Sequence, residues 1–264
     1  MSMRAILDKF ATNSRSPITP LESAIKSSIL ENNKINFNDE YLNIWKAIAN
    51  QVREDGFVLL ESIVGKEFMH AFRNEFKRMI ATNSSTKYAV DRHEGSICIR
   101  VKPIQSLNKN DFPMIHAFYH MDIFKKISEA FYGVENHKIS INNEIFIHQT
   151  PATNDPLSGK LHWDRAQTLK FWLYIDDLMP EAGPMAIIKG SSKENRKTRI
   201  KMTSKSKSLK GGEDNLVQSQ SHNKVVLSGL AGSILIHDTD ASHGATPVSP
   251  GYIRRIIRGH TRLK

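Results

Sequence analysis

The chain has one cysteine, Cys98, and no long hydrophobic run among its 264 residues. A lone cysteine cannot form an internal disulfide, which is typical of proteins from a reducing compartment. No apolar stretch approaches the roughly 18 residues of a membrane span, so none is expected. Residues 1–16 lack the apolar core of a secretory signal, although their basic, acid-poor composition leaves an organelle transit peptide open. We therefore expect a cytoplasmic protein.

The composition requires neither disulfides nor a structural metal for stability. Apolar residues make up 39% of the chain and charged residues 24%, which are ordinary values for a globular protein. A chain of this length buries roughly 70–75% of the surface that it exposes when unfolded. We expect a single domain over residues 1–264, with a helical N-terminal flank over residues 1–54 and the main core over residues 55–264.

Acidic residues are outnumbered: Asp and Glu total 27, whereas Lys and Arg total 37. The excess is concentrated between Lys189 and Lys210, which span nine basic residues and one acid, and again at the C-terminus. Such charge attracts nucleic acid, an acidic membrane surface or an anionic small substrate. Because residues 193–223 lack sustained apolar periodicity, we expect a basic loop there. It is either a lid over a small anionic substrate or a solvated connection.

Hydrophobic periodicity divides the chain into a helical first part and a strand-rich second part. Helical spacing covers residues 40–53, 66–80 and 113–132. A short buried strand is expected after the break at Asp55 and Gly56. From residue 138 onward, strand patterns follow one another without intervening helices. This order favours an antiparallel sandwich or barrel, with the helices packed on the outside of one sheet.

A candidate metal-ligand pair lies in the segment LHWDR. Residues two apart in an extended segment point to the same side, so His162 and Asp164 can offer a nitrogen and an oxygen to one ion. A second histidine would complete the two-histidine, one-carboxylate set that suits non-haem Fe(II). The candidate is His243, 81 positions later at a strand end. Strand alternation makes His237 a structural neighbour rather than a ligand.

A second pair with the same spacing, His120 and Asp122, lies inside a helical pattern. Residues two apart in a helix point about 200° from each other, so both cannot face one metal. We interpret them as a surface pair.

The last strand offers a candidate anion ligand, Arg254, which follows His243 by 11 positions. A buried arginine is costly unless its planar fork meets a carboxylate. Alternation places Arg254 and Arg258 on one face of the strand and Arg255 on the other. The sequence does not decide which face points inward.

Four segments resemble those of one enzyme family: DGFVLLESIVGKEF, LHWDR, FWLYIDDLMPEAGPMAIIKGSSK and GSILIHDTDASHGAT. With the Arg254 spacing, they make the chain from about Asp55 onward similar to the phytanoyl-CoA dioxygenase family of Fe(II)- and 2-oxoglutarate-dependent oxygenases. The resemblance implies an α+β, mainly β fold. Its core would be a double-stranded β-helix, that is, a cupin-like jelly roll, with N-terminal helices on one sheet.

The resemblance also implies roles for individual residues. His162, Asp164 and His243 would bind iron, and Arg254 would bind the far carboxylate of 2-oxoglutarate. Two further residues, Gln149 and Trp172, match cofactor-pocket positions of family members.

Two positions refine the expected activity. Ala245 stands where many members have a serine that bonds 2-oxoglutarate, so this bond is absent or comes from Thr246 or another residue. Asp164 stands where family halogenases have a small residue, which favours hydroxylation, desaturation or oxidative cyclisation over halogenation.

The resemblance therefore implies a dioxygenase that uses Fe(II), 2-oxoglutarate and O2. It would oxidise an unactivated C–H bond of a small, anionic metabolite and release succinate and CO2. Two alternatives remain: a nucleic-acid-directed demethylase and a non-catalytic β-barrel binding protein. The basic run lacks the interleaved aromatics of a base-stacking surface, which weakens the first. The presence of all four site residues weakens the second.

Overall fold

The computed structural model describes residues 24–25, 41–81, 89–93, 96–101, 107–135, 138–141, 145–152, 160–205 and 223–264. The helices within these ranges are α1 Tyr41–Asp55, α2 Lys66–Ala81, α3 Pro113–Tyr119, α4 Asp122–Tyr132 and α5 Ser192–Lys205. The strands are β1 Phe57–Leu60, β2 Ala89–His93, β3 Ser96–Val101, β4 Ile139–Ile141, β5 Ile145–Thr150, β6 Leu169–Tyr174, β7 Met185–Ile188, β8 Lys224–Leu227, β9 Ile234–Asp238, β10 His243–Ala245 and β11 Arg254–Leu263.

The strands form two antiparallel sheets. The large sheet has the order β1-β9-β6-β11-β5-β3-β2, with β4 also paired to β11, and the small sheet has the order β10-β7-β8. An isolated bridge between His162 and His243 adds the LHWDR segment beside β10. From β5 onward the chain therefore passes repeatedly between the two sheets. This is the strand order of a jelly roll, and it confirms the expected fold class.

The helices cover one face of the large sheet. Phe68, Phe72 and Phe76 form the predicted apolar stripe of α2, and all three are buried. They belong to a core shared with α3, α4 and inward residues of the strands, such as Phe171, whose ring centroid lies 4.4 Å from that of Phe124. The predicted packing of helices on one sheet is confirmed.

The other face of the large sheet packs against the small sheet. Trp172, Tyr174, Leu235 and Ile256 alternate with the helix-facing residues of their strands and form a second apolar cluster with β7 and β8. We call this side of the large sheet the inter-sheet face. Trp172, one of the predicted site residues, belongs to this apolar cluster.

Gly56 joins α1 to β1, as the Asp-Gly break predicted. It has a φ of +91°, and a Cβ atom there would lie 2.7 Å from that of Ala241. Its carbonyl accepts a hydrogen bond of 2.9 Å from the backbone N–H of Asp238. A glycine is therefore needed both for the backbone conformation and for the approach of the segment that precedes His243.

The prediction of a basic loop over residues 193–223 is wrong for its first part. Residues 193–205 are not a loop, because they belong to helix α5. The missing apolar periodicity was a correct observation, but the helix docks through charged and polar side chains rather than apolar ones. The rest of the expected lid, residues 206–222, lies outside the described residues, as does most of the expected N-terminal flank before residue 41.

Two further differences concern the first half of the chain. The helical pattern over residues 113–132 is divided between α3 and α4, which are separated at His120 and Met121. The region around residues 89–93 adds a strand, β2, that the polar sequence did not indicate. None of the described helices is long and apolar enough to cross a membrane.

Candidate metal centre

His162 and His243 are placed side by side by backbone pairing. The N–H of His162 donates to the carbonyl of His243 at 3.0 Å, and the reverse hydrogen bond measures 2.8 Å. Asp164 is held separately, because its backbone N–H donates to the carbonyl of Thr239 at 2.9 Å. The LHWDR segment and the distant segment that carries His243 thus bring the three residues together at one end of the small sheet.

The ligand atoms of these three residues face one another. Oδ1 of Asp164 lies 3.7 Å from Nε2 of His162 and 3.6 Å from Nε2 of His243. All three atoms lie within 4.8 Å of one another, so they could hold a metal ion. Metal–ligand bonds near 2.1 Å place adjacent octahedral ligands about 3 Å apart, so the distance from the Asp164 oxygen to each histidine nitrogen needs to shorten by less than about 1 Å.

Both imidazole rings are oriented by the backbone. Nδ1 of His162 lies 2.7 Å from the carbonyl of Lys160, and Nδ1 of His243 lies 2.8 Å from that of Ala241. A ring that donates Nδ1–H to a carbonyl presents the lone pair of Nε2 to the ion. The donor set therefore fits a metal of the kind that the sequence implied.

The charges at the centre suit a cation. Burial lowers the pKa of His243 to about 3, helped by the charge of Lys170, so this ring is neutral at physiological pH. Burial alone would raise the pKa of Asp164, but Lys170 and the two histidines outweigh it and bring the pKa to about 2. The centre thus offers a neutral imidazole at His243 and a carboxylate at Asp164.

Lys170 is a residue of the centre that the sequence analysis missed. It lies on the inter-sheet face of β6, and its Nζ is 2.7 Å from Oδ2 of Asp164. This contact occupies one carboxylate oxygen and leaves the other turned toward the histidines. The signal was present in the strand, because a lysine alternates with Trp172 in an otherwise apolar run.

Arg254 is buried on the inter-sheet face of β11, with 8% of its surface exposed. It donates hydrogen bonds from Nη1 to the carbonyl of Gly183 at 3.1 Å and from Nη2 to Oγ1 of Thr150 at 3.2 Å. Its Nε finds no hydrogen-bond partner in the described part of the chain. Burial lowers the pKa of Arg254 to about 10, so the side chain remains positively charged at neutral pH.

Gln149 lies on the opposite face of the large sheet. It pairs with Arg255 in the register, and its Oε1 accepts a hydrogen bond from Nε of Arg255 at 3.1 Å. The structure therefore does not bring Gln149 together with Arg254. The residue of this segment that contacts Arg254 is Thr150, which the sequence analysis did not select.

Trp172 lies on the inter-sheet face, and its Nε1 donates to Nδ1 of His237 at 3.0 Å. The ring of His237 lies 4.7 Å from that of His243, between centroids. His237 is not part of the ligand triangle, as expected. Thr246 does not replace the missing serine, because its hydroxyl donates to the carbonyl of Pro184 at 2.9 Å.

The second pair, His120 and Asp122, does not form a comparable group. Nδ1 of His120 lies 2.7 Å from the carbonyl of His116, and Asp122 lies near Lys125 and Lys126. Within the described ranges, His162, Asp164 and His243 are the group of three that could hold an ion.

Helix α5 docks onto the segment that leads to His243. Arg196 contacts the buried carboxylates of Asp238 and Asp240 at 2.8 and 2.9 Å, and Arg199 contacts Asp240 at 2.8 Å. Burial and the nearby Asp240 raise the pKa of Asp238 to about 6, and the charge of Arg196 opposes this rise. The basic helix therefore supports the metal centre from outside.

A jelly roll with two histidines and one carboxylate between its sheets defines the class of mononuclear non-haem metalloenzymes. The sequence matches the family of phytanoyl-CoA dioxygenase (PhyH) over residues 52–256. The chain belongs to this family and is a 2-oxoglutarate-dependent non-haem iron dioxygenase. Its cofactors are Fe(II), 2-oxoglutarate and O2. No curated protein sequence matches it significantly.

Solved structures with a similar fold include enzymes with these cofactors. The epimerase SnoN in complex with Fe3+, alpha ketoglutarate and nogalamycin RO is 13% identical, with a TM-score of 0.59 over 84% of each chain. EvdO2 from Micromonospora carbonacea var. aurantiaca, complexed with 2-oxoglutarate, is 14% identical, with a TM-score of 0.56 over 87% of this chain and 93% of its own. EctD from S. alaskensis is 14% identical, with a TM-score of 0.56 over 82% and 78%.

Proposed function

We propose that His162, Asp164 and His243 bind the iron and that Arg254 binds the far carboxylate of 2-oxoglutarate. The observation that carries this proposal is the convergence of one carboxylate oxygen and two Nε2 atoms, with both Nδ1 atoms held by carbonyls. Three ligands on one side of an octahedral ion leave three positions for the co-substrate and oxygen.

Arg254 supports the placement of 2-oxoglutarate. A buried guanidinium requires an anion, and its planar fork matches a carboxylate. Two of its N–H groups are fixed by Gly183 and Thr150, which hold the side chain before any ligand arrives. The hydroxyl of Thr150 accepts from Arg254 and can donate its own proton to the same carboxylate. It thus supplies a hydroxyl that Ala245 lacks.

The bound iron and 2-oxoglutarate supply the oxidising power, since decarboxylation of the co-substrate to succinate and CO2 accompanies the activation of O2. The protein supplies position and exclusion of water. Lys170 keeps one oxygen of Asp164 away from the metal. The buried rings of Trp172 and His237 lie beside His243 and exclude water from that side of the centre.

We propose that the substrate is a small anion whose unactivated C–H bond is hydroxylated, desaturated or used for oxidative cyclisation. Support comes from Arg258, which adds a cation to the inter-sheet face beyond Lys170, which pairs with Asp164, and Arg254, which is assigned to 2-oxoglutarate. The guanidinium of Arg258 lies over the rings of Phe146 and Trp172, with its central carbon 4.0 and 5.3 Å from their centroids. The lysines of the basic segment do not support an anionic substrate, because part of that segment is helix α5.

The test is formation of succinate by the Fe(II)-loaded protein in the presence of 2-oxoglutarate and metabolite extracts. Mass spectrometry would identify compounds whose mass changes only when 2-oxoglutarate is present. The His243→Ala variant is the matched control, and it should form no succinate above background. A wild-type protein that binds neither metal nor 2-oxoglutarate would contradict the proposal.

A further inference from the structure

His237 is a fully buried histidine that the proposed function does not yet use. It ends the inter-sheet side of β9, where it pairs in register with Phe57 and Lys170. None of its surface is exposed. Its ring lies 4.7 Å from the ring of His243, so it borders the metal centre directly.

The hydrogen bond from Trp172 fixes the tautomer of His237. An indole N–H can only donate, so Nδ1 of His237, 3.0 Å away, accepts and carries no proton. A charged imidazole carries a proton on both nitrogens, so an accepting Nδ1 means that the ring is neutral. A neutral ring with an accepting Nδ1 has its proton on Nε2.

The resulting Nε2–H donor is buried and has no hydrogen-bond partner among the described residues. A buried donor that stays unpaired destabilises the folded state, and such groups are uncommon in folded proteins. A bound molecule with an acceptor atom at this position would remove the cost. His237 therefore has the properties of a ligand contact rather than of a packing residue.

We propose that Nε2–H of His237 donates a hydrogen bond to a carboxylate oxygen of bound 2-oxoglutarate. This rests on the proposed function, in which Arg254 holds the far carboxylate and the metal holds the other end. His237 borders the ligand His243, which places its donor at the metal end. Trp172 acts as a positioning residue, because it determines which nitrogen carries the proton.

The first test compares His237→Phe with His237→Gln. Phenylalanine fills the space without a donor, whereas glutamine retains an amide N–H. Calorimetry on protein loaded with Mn(II), which does not turn over, would measure 2-oxoglutarate binding. We expect 10- to 100-fold weaker binding for His237→Phe, the range for loss of a hydrogen bond to a charged group. His237→Gln should recover part of the loss, and the affinity for Mn(II) itself should change little in both variants.

The second test follows the protonated nitrogen of His237 by nuclear magnetic resonance. In Zn(II)-loaded protein, the nitrogen-15 resonance of His237 Nε2 should shift on addition of 2-oxoglutarate. Trp172→Phe should weaken 2-oxoglutarate binding by several-fold, because it releases the tautomer. If a folded His237→Phe variant binds 2-oxoglutarate as the wild type does, or if the resonance does not move, the inference is overturned and a buried water is the partner of Nε2.

The two levels of the argument fail separately. If the wild type does not bind 2-oxoglutarate, or if Arg254→Ala binds it normally, the proposed function fails. If Arg254→Ala weakens binding and His237→Phe does not, the proposed function stands and the role of His237 falls.

Discussion

Arg254 and Arg255 are neighbours in sequence, yet they lie on opposite faces of the large sheet. Arg254 is buried on the inter-sheet face with an Nε that lacks a partner within the described ranges. Arg255 is half-buried, and it contacts Asp176 at 2.8 Å and Gln149 at 3.1 Å. Side chains of the protein pair with Arg255, whereas the proposed partner of Arg254 is a ligand. The inter-sheet face carries the buried cations Lys170 and Arg254, whereas Phe171 on the helix-facing side packs in the larger apolar core.

The largest loss of activity should come from Asp164→Ala, a substitution at the proposed metal centre. It removes one of three metal ligands but little packing, since the side chain is 26% exposed. We expect metal-dependent turnover to fall by about a thousandfold or more, which corresponds to roughly 4 kcal/mol. Succinate assays and circular dichroism would check activity and fold. The control is Asp122→Ala, which changes the other HxD pair and should retain full activity.

A substitution on the helix-facing side should lower the stability of the fold and leave metal binding intact. Phe171 is fully buried against Phe124, and Phe171→Ala should lower the free energy of unfolding by about 3–5 kcal/mol. Urea denaturation would measure the loss, and calorimetry without denaturant would measure metal binding. Metal affinity should be retained in the folded fraction. A folded Phe171→Ala protein without metal affinity would show that the two faces are not separable.

The adjacent arginines test the comparison most directly. Arg254→Ala should raise the 2-oxoglutarate concentration needed for half-maximal activity by about a hundredfold, because a buried charge-assisted contact is lost. Arg255→Ala should change it by less than about threefold, because that side chain serves Asp176 and Gln149. Steady-state kinetics at varied 2-oxoglutarate would separate the two. Equal effects would mean that the face of β11 does not determine function.

Lys170→Met should have the smallest effect of the four. It preserves the length of the side chain but frees Oδ2 of Asp164, so that the carboxylate can bind the metal through both oxygens. We expect turnover to fall about tenfold while the affinity for the metal does not decrease. Calorimetry with Mn(II) and succinate assays would measure the two quantities. The control is Lys189→Met, which removes an exposed lysine paired with Asp55. A parallel loss of metal affinity and turnover would contradict this role.

The sequence predicted the parts of the fold that depend on periodicity. The stripe of Phe68, Phe72 and Phe76 and the alternation of β9 each reflect burial of one side of an element, and a local pattern records this directly. The three proposed ligands could also be found, because the HxD spacing has a simple geometric consequence in an extended segment. Their role as ligands stays a prediction, although the structure brings them together.

Other features depend on contacts between distant segments and could not be predicted. Helix α5 has no apolar stripe because it docks through Arg196 and Arg199 on the buried Asp238 and Asp240. Gln149 was placed in the cofactor pocket, but one residue of register decides its face, and Thr150 occupies the position beside Arg254. His237 was assigned a structural role because its missing partner is visible only when every neighbour is known.

The anchoring of both ligand histidines on backbone carbonyls has a consequence for metal selectivity. A set of three ligand atoms that is arranged before the ion binds selects ions by coordination geometry and by the type of donor atom. Nitrogen and oxygen donors bind divalent ions with increasing strength from manganese through iron and cobalt to nickel and copper. Iron thus holds no affinity advantage over the later ions at this centre. The identity of the bound ion then depends on cellular supply as well as on geometry and ligand type, and protein purified in the presence of nickel will need to be stripped and reloaded before it is assayed.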